Sequence, residues 1–338
     1  MKIKKLFFAA AAVMALTACS NDDEVQNVLP ISQFPEDGVM RFTTNLVDPT
    51  RATTRASITG SDVNQNGQQF QVKIVNPTSA TYSYFNTVQY DGSEWRPVSR
   101  MLWQNDQQRI DVTAAYKQGK TFSDYEFIAG ANLTVAADQS TEAKLKQQDL
   151  LTMPTKTIAN PSQEQTLMQN GKLVINFYHA LTKLDVTLEL NDEFYLNGQD
   201  NASDITEFTI SGTNAGYQFK ATETANENYG TVTATNGTAA DILANQYAFT
   251  AGTAESKHSK AFYESIIVPQ EIAAGALTVS FKIGTRSFSW TNTQAYTLEQ
   301  GKHYTLPLTV GSDAVTLNAN AFRITSWEDQ PGDNLVTE

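Results

Sequence analysis

The 338-residue sequence predicts an all-β protein with few short helices, because its apolar spacing, its turn chemistry and its composition agree. Apolar residues recur at every second position, the period at which strand side chains alternate between two faces. Phe70, Val72 and Ile74 do so, then Leu184, Val186, Leu188 and Leu190, then Leu277, Val279, Phe281 and Ile283. Turn-forming pairs punctuate the runs: Asp91-Gly92, Asn197-Gly198, Asn236-Gly237 and Ala274-Gly275. Charged residues make up only 18% of the chain, and the polar remainder is largely Thr, Asn, Gln, Ser and Tyr. That mix suits strands and turns better than solvated helices. One helical signal stands out, Ser140 to Leu150, where Ser140-Thr141-Glu142 can start a short turn.

The N-terminus reads as an export signal. Three lysines fall within Met1 to Lys5, and an apolar run from Leu6 to Leu16 follows, too short for a stable bilayer-spanning helix. It ends in Leu16-Thr17-Ala18-Cys19, which resembles the lipobox of bacterial lipoproteins: cleavage between Ala18 and Cys19 leaves Cys19 as the lipidated, palmitate-bearing N-terminus. The acidic run Asn21-Asp22-Asp23-Glu24 behind it is either a signal for the outer face of the outer membrane or a solvated tether. Up to Asp37 the chain has few large apolar residues and two prolines, as a flexible leader would.

Val39 to Val47, with Met40, Phe42 and Leu46, is strand-like and would extend about 30 Å. The next ten residues, Asp48 to Ser57, lack large apolar groups and are expected to be exposed to proteases. Arg55-Ala56, or alternatively Arg51-Ala52, is a target for an arginine-specific protease, and a solvated loop is the competing interpretation. Cleavage there would detach both the lipid and the Val39 strand. The resulting division is a signal peptide at 1–18, a leader at 19–55 with the candidate displaced strand 39–47, and two sandwich-like domains, 56–180 and 181–338. The inner boundary is expected near Ala180, between strands at Leu173 to Phe177 and Lys183 to Leu190. The Thr-, Asn- and Ala-rich stretch from Thr222 to Ala244 reads as a long surface loop or a polar edge.

Several function classes lose support. A formal charge of −12, from 36 acids and 24 bases, argues against a nucleic-acid partner, whose phosphates call for a basic footprint. The single cysteine forbids an internal disulfide and a Cys-based metal cage. His179, His258 and His303 lack the spacing of a helical zinc site, and His179 beside a strand reads as a buried or capping residue. Asp62-Val63-Asn64-Gln65-Asn66-Gly67 opens like a calcium loop, yet Lys73 stands where the bidentate glutamate belongs, and a turn accounts for it better. The paired acids Asp22-Asp23 and Glu328-Asp329 lie near the termini. With no nucleophile elbow, phosphate loop or dinucleotide fingerprint, the sequence assigns no catalytic residue, metal or cofactor and is expected not to be an enzyme.

An ordered set of stretches carries a resemblance. Trp95 to Trp103 precedes Ile110 to Tyr116; Asp149-Leu150-Leu151 precedes Phe177-Tyr178-His179-Ala180-Leu181-Thr182-Lys183-Leu184; then come Ile267-Val268-Pro269-Gln270, Gly301 to Leu306 and Ile324-Thr325-Ser326-Trp327. In this order they resemble the fimbrillins, subunits of the type V pili of certain anaerobic Gram-negative bacteria, and the related fimbrillin-like lipoproteins. The resemblance implies two tandem transthyretin-like Greek-key sandwiches and assembly by strand exchange. An arginine-specific surface protease would remove the strand carrying Val39, Met40, Phe42 and Leu46. A C-terminal stretch with Ala321, Phe322, Ile324 and Trp327 would be the candidate donor. Expected partners are other pilin subunits, that protease, the lipoprotein export machinery and, before cleavage, the outer membrane; adhesion would be to an unnamed ligand. If the C-terminal strands complete their own domain, a tip, an anchor or a glycan- or protein-binding adhesin is implied instead.

Overall fold

The alternating runs become strands whose apolar faces are sealed from water. Phe70, Val72 and Ile74 are fully buried in β2 (Gln69–Asn76), which lies between β3 (Ser79–Tyr90) and β5 (Ile110–Lys117). The computed structural model describes residues 34–47, 58–224, 230–235, 239–318 and 322–326, all within one compact unit from Gln33 to Glu338.

The first sheet also contains β1 (Phe42–Leu46), β4 (Trp95–Pro97), β7 (Leu150–Ile158), β8 (Met168–Gln169) and β9 (Lys172–His179). Its order is β1-β4-β3-β2-β5-β7-β9-β8, and β1 also pairs with β9, so the seven strands other than β8 close into a ring. The β1–β9 pairing is parallel, while the other steps are antiparallel. Aromatic edges fill its interior: Phe70 lies 4.9 Å from Trp95 and 5.5 Å from Phe177, centroid to centroid.

Three short helices, α1 (Gly60–Val63), α2 (Asp124–Ala129) and α3 (Glu142–Lys146), are each set by an N-cap hydroxyl, from Thr59, Ser123 and Thr141 respectively. Only α3 was marked by the sequence pattern. In α1 the Asp62 carboxylate caps the Thr59 backbone N–H and pairs with Lys146 at 2.9 Å, so the calcium-like stretch opens as a capping box.

Past His179 the chain enters β10 (Thr182–Leu190), then β11 (Ile205–Asn214), β12 (Gly216–Thr224), β13 (Gly230–Ala234) and β14 (Ala239–Leu243). β15 (Asn245–Thr250), β16 (Lys260–Ile267), β17 (Gln270–Ile272), β18 (Thr278–Ile283) and β19 (Arg286–Thr291) follow. The last are β20 (Tyr296–Leu298), β21 (Lys302–Val310), β22 (Val315–Leu317) and β23 (Arg323–Ser326). One sheet runs β15-β16-β10-β21-β22, with β23 also on β21; a second runs β14-β11-β18-β19. Leu184, Val186 and Leu188 of β10 share a core with Ile210, Val279 and Phe281, so these two sheets pack face to face.

A third, smaller sheet, β13-β12-β6, brings β12 against β6 (Ala131–Thr134), residues far apart in the chain. Tyr217 and Phe219 of β12 bury themselves with Phe122, Phe127 and Leu150, and Ala180 and Leu181 are fully buried in the same cluster. The stretch expected to be a loop or a polar edge is therefore an edge where described: β13 and β14 each end a sheet. Its Thr and Asn residues suit the open face of an edge strand.

Candidate functional site

β1 supplies side chains to the first core and backbone to the ring closure. Met40 and Phe42 are fully buried; Leu46, on the same face by the period of two, packs partly on that core. Phe42 is directly opposite Leu173 of β9 and Trp95 of β4. Hydrogen bonds hold the segment at both ends. Met40 N–H donates to the Met101 carbonyl at 3.0 Å, Trp103 N–H to the Gly38 carbonyl at 2.9 Å, and Val47 N–H to the Phe177 carbonyl at 2.9 Å. Val39 bridges Leu102. Burying each large apolar side chain contributes roughly 1.5–3 kcal/mol.

Polar contacts fix the register along the rims. Asn64 Oδ1 accepts from both the Thr44 hydroxyl at 2.9 Å and the Trp95 indole N–H at 2.7 Å. Arg41 pairs with Asp37 at 2.6 Å and, by that hydrogen bond, holds the Asp37 carboxyl well below the usual carboxylate range. A strand held this way sits in a slot with backbone partners on either side. Loss of β1 would open a groove between β9 and β4 with unpaired N–H and C=O groups and an apolar floor of Phe70, Leu173 and Phe177.

The C-terminal candidates lie elsewhere. β22 and β23 run antiparallel to β21, with Leu317 opposite Leu308 and Ile324 opposite Tyr304. Phe322 stacks on Tyr296 with centroids 4.2 Å apart and touches Tyr304, whereas Ile324 is 55% exposed. Cys19, Ala18, Arg51, Ala52, Arg55, Ala56, Ala321 and Trp327 fall outside the described residues. Trp95, Trp103 and Trp290 are all buried, so none of them offers a free face to a sugar.

Sequence reading missed a set of buried pairs of titratable side chains around the passage from β9 to β10. His179 Nδ1 lies 2.8 Å from Asp149, Lys183 Nζ 2.7 Å from Glu264, and His303 Nε2 2.9 Å from Asp185. Asn245 donates a further hydrogen bond to Glu264 at 2.9 Å. The available signal was the pair Lys183 and Asp185 among Leu184, Val186 and Leu188: a strand buried on both faces cannot leave such charges unpaired. Nearby, burial pushes the Lys117 ammonium down to about 8, against the pull of Asp149, and its Nζ donates to the Gln147 and Gln148 carbonyls. Every one of these groups is tied into the packing. Among the described residues no cluster of three His, Cys, Asp or Glu could hold a metal.

A family profile for fimbrillin-like proteins matches residues 50–327. The chain belongs to the fimbrillin-like family. This fimbrillin-like chain shares its fold with a Bacteroides uniformis protein assigned to cell adhesion, at a TM-score of 0.53 and 17% identity, over 87% of this chain and 99% of the other. A Bacteroides ovatus protein of the same assignment is similar at a TM-score of 0.59 and 14% identity, again over 87% and 99%. Comparison with curated proteins returns no match.

Proposed function

We propose that this fimbrillin-like chain is a structural subunit of a surface fimbria, exported as a lipoprotein precursor, cut after Arg55 or Arg51, and polymerised by β-strand exchange. The observation that carries the reading is the position of β1, a short strand that closes the ring with Met40 and Phe42 buried and stands just upstream of both Arg-Ala bonds. Cutting there would free β1 from its covalent tie, and the emptied groove would favour an incoming strand of matching alternation. Membership of the fimbrillin-like family supports a fimbrial or adhesive role at the cell surface and a non-enzymatic one. The reading includes lipidation at Cys19 and two sandwich domains, 56–180 and 181–338; one large apolar core on each side of Ala180 supports the division, and a third core and the β6–β12 pairing join the two halves.

A second reading has its own observation. Because β22 and β23 already pair with β21, a chain that keeps them there would end a fibre, as a tip, an anchor or a lipid-bound adhesin would. The double variant Arg51→Ala, Arg55→Ala separates the two. It should accumulate as a lipidated, monomeric precursor while the parent forms ladders that survive SDS without heating. Polymers of normal length from the variant would sink the cleavage mechanism, and a parent that never forms ladders favours the tip or anchor.

A further inference from the structure

The outer face of the sheet β14-β11-β18-β19 holds a cleft. Inward, Ile210, Val279, Phe281 and Phe288 of this sheet pack in the core. Outward, Leu243 stands opposite Thr209, Thr209 opposite Ser280 and Ser280 opposite Ser289, a row that crosses all four strands in about 14 Å. One step along, Lys282 lies opposite Ser287. Strands favour β-branched and aromatic side chains, and a serine is too short to fill the space above the sheet. The three serines leave a cleft of about 500 Å³, within the range of small-molecule sites.

The fold fixes its walls. The exposed Leu243 is pinned by its own backbone, whose N–H donates to the Ala137 carbonyl and whose carbonyl accepts from the Gln139 N–H. Glu207 reaches the rim through a β-bulge. The β11 register shifts between Thr206 and Thr209, and Glu207 has a φ of 52°, a left-handed conformation that residues with a side chain seldom adopt. Its carboxylate takes Lys282 Nζ at 2.7 Å. Both side chains face solvent, and such a pair contributes less than the left-handed backbone costs. Stability does not account for Glu207.

We infer that this cleft is a binding site for a short neutral oligosaccharide. The carboxylate and the ammonium cancel in charge, so the cleft favours neither an anion nor a cation. What it offers is hydrogen bonding: Glu207 accepts, Lys282 donates, and the hydroxyls of Thr209, Ser280, Ser287 and Ser289 do both. None of those four hydroxyls has a partner among the described residues, whereas Thr278 and Thr291, next on the same face, hydrogen-bond each other at 3.1 Å. Leu243 supplies an apolar surface for the C–H face of a sugar ring, which no buried tryptophan offers. A ligand with many hydroxyls, no charge and one apolar face answers all of these features. The inference deepens the adhesive reading by naming a ligand class. It is independent of strand exchange, because the β1 slot lies in a different sheet.

The test uses the full chain carrying Cys19→Ser, Arg51→Ala and Arg55→Ala, which removes the lipid site and both arginines and so separates the cleft from assembly. It is screened on an array of neutral and sialylated oligosaccharides, and the ligands found are measured by saturation-transfer NMR. At least one neutral di- or trisaccharide should bind. Ser280→Ile, which fills the centre of the cleft, and Glu207→Gly, which removes the carboxylate, should each weaken that binding at least tenfold. Glu207→Gly also separates ligand binding from a structural role: glycine relieves the left-handed backbone, so the melting temperature should hold or rise while binding is lost. Absence of any neutral ligand, binding confined to sialylated members, or a neutral ligand that either variant still binds normally would overturn the inference. Each of these results leaves strand exchange untouched. A parent chain that never forms SDS-resistant ladders would remove strand exchange, and neutral-sugar binding lost in both variants would still establish the cleft.

Discussion

Phe42 meets Phe70 edge to face, with ring centroids 6.1 Å apart and planes at 77°. The contact joins the strand that closes the ring to the middle of the first core, where Phe70 also reaches Trp95 and Phe177. Phe42→Ala in the full precursor should therefore cost about 3–5 kcal/mol in urea denaturation. Asn45→Ala, on the exposed side of the same strand, should stay within about 0.5 kcal/mol. A loss for Phe42→Ala that also stays within about 0.5 kcal/mol would mean that Phe42 adds nothing to the precursor's stability.

The ion pair of Lys183 and Glu264 is buried on both sides, with side chains 3% and 0% exposed. Lys183→Met should destabilise by about 3–5 kcal/mol, because it strands the carboxylate. Adding Glu264→Leu should recover much of that loss. Additive losses in the double variant, followed by thermal or urea unfolding, would show that the two side chains are not energetically coupled.

Stability should rise between about pH 8 and 10 and then fall. Lys117 is held down to about 8 by burial, whereas an unfolded lysine titrates near 10.4, so over that window the unfolded chain binds more protons and stability increases with pH. Above it, the tyrosines Tyr82, Tyr116, Tyr217 and Tyr263, all raised by burial, oppose the trend, since the unfolded chain loses those protons first. The rise should amount to about 2 kcal/mol and vanish in Lys117→Met. A wild-type curve that is flat from pH 8 to 10 would contradict this account of Lys117.

The all-β class and several strands were legible because half-buried strands print their burial as alternation: β2, β10 and β18 coincide with the runs at Phe70, Leu184 and Leu277. α1 and α2 were not, because each is a single capped stretch, and a cap such as Thr59 or Ser123 looks like any turn residue until its N–H partner is placed. The strand character of β12 and β13 was hidden by polar residues on their open faces, while Tyr217, Phe219 and Ala221 alternate inward. Partners of the buried titratable side chains were out of reach for a different reason. Asp149 meets His179, Glu264 meets Lys183 and Asp185 meets His303 only once β7, β16 and β21 are in position beside β9 and β10. At the candidate site, the burial of Met40 and Phe42 could be read from spacing, but the slot between β4 and β9 could not.

The N-terminal residue of subunits in assembled surface filaments tests the central claim most directly. Edman sequencing or mass spectrometry of such filaments should find Ala56, or Ala52, with the segment containing Met40 and Phe42 gone. Filament subunits that still begin at a lipidated Cys19 and retain β1 would contradict it.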